Sequence, residues 1–203
     1  MAGRIEIYGD SISGNCYKLQ LVCAELAIEH DWHETDILAG ESRTAEFLAM
    51  NPNGKVPLAL LPDCRCLTES NAILFYLADG NTLAGRDRFE TASILSWMFF
   101  EQYSHEPYIA TSRFIIQYLG SPVNRQDELE AKKPGGYKAL NVMEGELSNK
   151  EFIANNAYSI ADIALYAYTH VAHEGGFDLT NYPSINAWID RVRNRRNHVP
   201  MKN

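Results

Sequence analysis

The chain changes character once, at Asp79-Gly80-Asn81 through Gly85, and that change bounds the architectures open to it. Ahead of this polar, turn-forming stretch, short apolar runs alternate with helical stripes; behind it no convincing strand remains. Residues 5–8 read as a strand, 15–27 as a helix with Leu19, Val22, Cys23 and Leu26 on one side, and 32–37 as a second strand. A short helix over 43–50 stops at the breaker cluster Asn51-Pro52-Asn53-Gly54. Residues 56–61 and 64–67 then read as a hairpin turned at Pro62-Asp63, with a helix over Ser70–Leu77 after it. The expected organisation is an α+β domain over 1–79, a linker over 80–86 and an all-α domain over 87–203.

In the second half a long helix is expected over 87–118, kinked by Pro107 and ended by Gly120-Ser121-Pro122. Pro134-Gly135-Gly136 is expected to interrupt the next helix, which Tyr137, Leu140, Met143 and Leu147 resume. Ser159-Ile160-Ala161-Asp162 is the clearest start signal in the chain, a capping box with Tyr158 and Ile163 placed as a staple. Gly175-Gly176 ends that helix, and Pro183 opens a last one with Ile185, Trp188, Ile189 and Val192 on its apolar face.

Charge narrows the range of partners. At 203 residues and a formal charge of −8, the chain is not expected to have a nucleic-acid partner, since phosphate backbones require a basic patch. The basic run Arg191, Arg193, Arg195 and Arg196 falls at a predicted helix end, where cations suit the dipole, so it reads as capping and solvation. No leader pattern and no membrane-length apolar run is evident, which points to a cytoplasmic protein. Cys16 and Cys23 are two turns apart on one helix, and Cys64 and Cys66 sit i, i+2 on one strand, so all four cysteines are expected to be reduced thiols. His170 and His173 have no metal-ligand spacing to carboxylates or cysteines, and no metal is expected.

Three places carry chemistry. The first strand runs through Gly9-Asp10-Ser11-Ile12 into Ser13-Gly14-Asn15-Cys16, where a helix N-terminus offers free N–H groups and a positive dipole end to an anion. A thioredoxin-like redox protein carries a cysteine at each end of such a four-residue turn; here the first is a serine. Ser13 cannot shuttle disulfides, but it can donate a hydrogen bond to another molecule's thiolate, or simply cap the helix. Next, Lys55-Val56-Pro57 opens an apolar strand; the proline is either an edge residue or a cis peptide that turns the Val56 backbone toward a bound peptide. Last, Glu69-Ser70-Asn71 starts a helix, as caps or as a receptor for a ligand's ammonium and carboxylate.

Taken together, Ser13 to Lys18, Asn51 to Pro57, Glu69 to Leu77 and the Ser159–Asp162 box resemble the cytosolic glutathione transferase family, bacterial-type and theta- or beta-like, over nearly the whole chain. The resemblance implies a thioredoxin-like N-terminal domain plus an all-α C-terminal domain, glutathione as co-substrate, a role in detoxification and a homodimer. It implies that Val56, ahead of a cis Pro57, pairs with the cysteinyl backbone, that Glu69 and Ser70 hold the γ-glutamyl end and that Lys55 reaches the glycine carboxylate. The activating residue matches Ser13 in theta-like members and Cys16 in beta-like ones; Ser11 is a third candidate and Tyr8 a remote one. Tyr103, His105 and Tyr108 mark the expected pocket for a small apolar electrophile, between the domains. Two other readings stay open: a glutathione-dependent disulfide reductase or peroxidase using Cys16, and a non-catalytic binding module.

Overall fold

A computed structural model describes residues 3–202. The chain divides into two units, Met1–Asp79 with Asn197–Asn203, and Gly80–Arg196.

The first unit is built on a four-stranded sheet, β1 (Ile5–Gly9), β2 (His30–Glu34), β3 (Leu58–Leu60) and β4 (Cys66–Thr68), in the order β2-β1-β3-β4. β1 and β2 run parallel, with Ile5 opposite His30, and need a crossover, which α1 (Gly14–Leu26) supplies. β3 and β4 are antiparallel to their neighbours. Alternation along β1 turns Ile7 into the core and Glu6 and Tyr8 to the other face, where Tyr8 stacks on His33 and meets the edge of Phe47 in α2 (Ala45–Met50). α1 packs against α3 (Ser70–Leu77). The second strand lies two residues earlier than its apolar residues suggest, because pairing with β1 fixes the register of this edge strand. β4 begins at Cys66 and not at Cys64, since Cys64 turns the hairpin at φ 66°. Tyr17 Oη donates to the Val199 carbonyl at 2.6 Å, and Asn197 Nδ2 donates to the Glu25 carbonyl at 3.4 Å, which ties the C-terminal residues into this unit.

The second unit is helical among the described residues. α4 (Arg88–Phe100) passes through a π-helical turn (Glu101–His105) into α5 (Glu106–Arg113) and a second π-helical turn (Phe114–Tyr118). Pro107 lacks an N–H and cannot extend the α ladder, and the wider π turn absorbs the missing bond. α6 (Gln126–Leu147) runs unbroken through Pro134, contrary to the expected interruption. The glycines after it have a packing reason instead: a Cβ on Gly135 would lie 2.2 Å from Tyr108, and one on Gly136 would lie 2.3 Å from Phe177. They let neighbouring aromatic rings sit on the helix backbone, and Lys132 Nζ, donating to the Pro107 carbonyl at 3.1 Å, holds α6 against α5 there.

α7 (Ile160–Thr169) is buried at every residue and forms the centre of the unit. The Ser159–Asp162 capping box is formed, and α8 (Pro183–Arg193) buries Ile185, Trp188, Ile189 and Val192 as its period predicts. Three arginines of the basic run at its end are engaged: Arg191 donates to the Glu151 carbonyl, Arg193 to Asp190, and Arg195 lies 3.7 Å over the Tyr158 ring. No helix is long and apolar enough to cross a membrane, and no group of three or more metal-ligating side chains occurs, among the described residues.

Candidate active site

The turn from β1 into α1 is held from both sides. Gly9 has room for no side chain, since a Cβ there would meet Trp32 at 2.8 Å. Asp10 is buried, and its Oδ1 accepts from the Ile12 N–H at 3.0 Å while its carbonyl accepts from the Ser13 N–H at 3.0 Å. Ser13 is thus delivered to the N-cap position with extended backbone (φ −77°, ψ 127°), yet its hydroxyl makes no capping bond. Its side chain lies near Cys16 and acts to lower that thiol's pKa. No acidic residue occupies the first turn of α1 to offset its positive end.

The other activating candidates are placed differently. Cys16 is 0% exposed, and burial pushes its thiol up to about 12, against the lowering effect of Ser13. Such a thiol is scarcely ionised near neutral pH. Ser11 is committed to Glu34: its N–H donates to Glu34 Oε1 at 2.7 Å, and its hydroxyl bonds the same carboxylate. Partial burial raises the Glu34 carboxyl, but the Ser11 N–H, Trp32 and the Ser11 hydroxyl outweigh it and hold it below the usual range. Tyr8 donates to Glu6 at 3.3 Å, and burial beside that carboxylate raises its phenol.

At the second place, buried Asn51 donates from Nδ2 to the Lys55 carbonyl at 2.7 Å and shapes the segment ahead of β3. The Val56–Pro57 peptide is cis, Val56 lies before the first paired residue of β3, and the Lys55 side chain is exposed. At the third, Glu69 is exposed and sits at φ 67°, a left-handed conformation that a non-glycine residue adopts at a cost of about 1 kcal/mol or more. Ser70 is 5% exposed and opens α3. Behind it, wholly buried Lys18 donates from Nζ to Ser70 Oγ at 3.2 Å and to Asn71 Oδ1 at 3.1 Å, and Ser70 Oγ donates to Asn15 Oδ1 at 3.3 Å.

The residues expected to meet an electrophile do not point one way. Tyr103 is 86% exposed, whereas His105, two residues on, is buried and bonded through Nε2 to Thr169 Oγ1 at 2.9 Å. Tyr108 rests over Gly135. His105 therefore serves the helical core.

Family models match most of the chain: the glutathione S-transferase N-terminal domain over residues 12–79 and its C-terminal domain over residues 96–196. The chain belongs to the cytosolic glutathione S-transferase family. A solved glutathione S-transferase from Pseudomonas fluorescens is 52% identical, with 99% of this chain and 100% of that chain covered and a TM-score of 0.96. A possible glutathione S-transferase from Rhodopseudomonas palustris is 44% identical over 98% of this chain and 90% of that one, at a TM-score of 0.95. The disulfide-bond oxidoreductase YfcG of Escherichia coli is 26% identical over 189 residues, 89% of this chain and 86% of that protein.

In this glutathione S-transferase family member, sequence reasoning passed over two residues of the site. Lys18 lies inside a helical face of apolar side chains, where its charge is the one visible clue. Glu34, which claims Ser11, is separated from it by 23 positions and gives no local signal.

Proposed function

We propose that this chain is a glutathione transferase in which Ser13 activates the glutathione thiol for attack on a small, largely apolar electrophile. The observation that carries this reading is the state of the turn. A serine hydroxyl, unspent on capping, stands at the N-terminus of α1, and the neighbouring cysteine is buried with its thiol pushed up to about 12. A hydroxyl and a helix N-terminus favour an anion, and a thiolate placed there has its pKa lowered. The Val56 backbone ahead of cis Pro57 holds the cysteinyl unit of glutathione, Glu69 its ammonium, Ser70 with the start of α3 its γ-glutamyl carboxylate, and exposed Lys55 its glycine carboxylate. Four free cysteines suit a reducing cytoplasm, and the negative net charge suits a protein without a nucleic-acid partner. Tyr108 is the best remaining contact for the electrophile. A homodimer is part of the same reading, supported by a stripe of exposed apolar side chains on α4.

Ser13→Ala tests it. Losing one hydrogen bond to a charged group costs about 1.5–3 kcal/mol, so kcat/KM is expected to fall roughly 10- to 150-fold. The absorbance band of bound thiolate, titrated against pH, is expected to move to higher pH in the variant. An unchanged band and unchanged turnover would remove Ser13 from the mechanism.

The likeness to a disulfide-bond oxidoreductase supports a second reading, in which glutathione exchanges with disulfides. Cys16→Ser separates the two: full transferase and reductase rates in that variant leave the buried thiol without a chemical role.

A further inference from the structure

Lysine is among the residues least often found wholly inside a protein, and an ammonium group there must be hydrogen-bonded to be tolerated. Lys18 is 0% exposed in the middle of α1 and directs two of its donors at the first turn of α3. For folding alone this is an unfavourable position. A cation beside a helix N-terminus adds to the positive end of the dipole. α3 has no acidic residue in its first turn, and the side chain of its N-cap, Glu69, makes no capping bond.

The direction of the hydrogen bonds gives the arrangement a purpose. A lysine ammonium donates and cannot accept, so Ser70 Oγ must accept from it. The single proton of Ser70 then goes to Asn15 Oδ1 at 3.3 Å, in the first turn of α1. Lys18 thus fixes three side chains at once: Ser70, Asn71 and, through Ser70, Asn15. The positive charge of Lys18 adds to that of the α3 N-terminus, and Ser70 is held there by two partners; to donate to a carboxylate its hydroxyl has only to swing its proton away from Asn15, with Lys18 still in place.

We propose that Lys18 is a positioning residue for the γ-glutamyl carboxylate of glutathione, acting from inside the protein through Ser70 and Asn71. This deepens the glutathione reading and rests on it. Lys18 touches no ligand in this proposal; it sets the field and holds the groups that do. Its effect is therefore specific to the carboxylate and does not extend to the rest of the peptide.

The test compares two ligands by calorimetry, glutathione and 4-aminobutyryl-cysteinylglycine, which keeps the ammonium and lacks the carboxylate. Lys18→Met is expected to weaken glutathione binding about tenfold or more while changing the affinity of the shortened ligand less than about twofold. KM for glutathione should rise with kcat nearly unchanged, and Lys18→Arg should restore part of the affinity. If Lys18→Met does not fold, Asn71→Ala removes one of the two acceptors and is expected to show the same selectivity, at about threefold. Equal weakening of both ligands, or no weakening of either, overturns the role of Lys18. A wild-type protein that binds neither ligand overturns the glutathione reading itself.

Discussion

At the scale of single residues, Asp162 shows how a buried charge is balanced. Its Oδ1 accepts from the Ile153 N–H at 2.9 Å and from Trp188 Nε1 at 2.9 Å, and its Oδ2 accepts from the Ser159 N–H and hydroxyl, each at 3.0 Å. Four donors favour the carboxylate, but complete burial opposes it more strongly and pushes the group up from 3.8 to about 6. A carboxyl whose folded value is raised binds its proton more tightly in the folded state. Its charged form therefore costs stability above about pH 6, and that cost is relieved as pH falls from 6 toward 4. The shift corresponds to about 3 kcal/mol over that window. Asp162→Asn cannot titrate and leaves one of its donors facing another, so it should lower unfolding free energy by about 1–3 kcal/mol at pH 7. Urea unfolding of both proteins should show the gap widening on acidification from pH 7 to 4.5. A gap that narrows would mean that the four donors outweigh burial.

At the scale of elements, Pro134-Gly135-Gly136 separates local preference from packing. All three residues disfavour a helix interior, yet α6 continues through them because Tyr108 and Phe177 need the space that side chains would fill. The two substitutions most often grouped together should then have opposite signs. Gly135→Ala forces the Tyr108 ring aside and is expected to destabilise by about 1–3 kcal/mol. Pro134→Ala, at an exposed position, restores a backbone donor to the helix and is expected to stabilise by about 1–2 kcal/mol, measured by chemical denaturation. The same contrast decides what could be read from the sequence. α3, the Ser159–Asp162 cap and the Pro183 start carry their instructions within a few residues, and all were legible. The unbroken α6 and the register of β2 are set by residues far along the chain, and no local pattern announces them, whereas Pro107 announced a disturbance of its helix but not the π form it takes. At the candidate site, Ser13, Val56-Pro57 and Glu69-Ser70 were visible as motifs, but the Lys18 network requires α1 and α3 to be brought together first.

At the scale of the whole molecule, one helical face stays exposed among the described residues. Phe89, Phe99 and Tyr103 are 79%, 69% and 86% exposed, and with exposed Ala92 and Ser96 they follow the three- and four-residue steps of a single stripe along α4 and its π turn. Large aromatic side chains aligned this way on a chain that stays alone would invite nonspecific association. A second copy of this chain is the proposed occupant, and it must overcome repulsion between two molecules of net charge −8. Sedimentation equilibrium should therefore give a mass near twice the chain's 22.9 kDa, and association should tighten as added salt screens the repulsion. Replacing both Phe99 and Tyr103 by Glu puts four charges into a twofold contact and should yield a folded monomer with unchanged helical content. A monomeric wild type at micromolar concentration and moderate salt would show that this face serves some other contact. A double variant that remains dimeric would move the interface off α4.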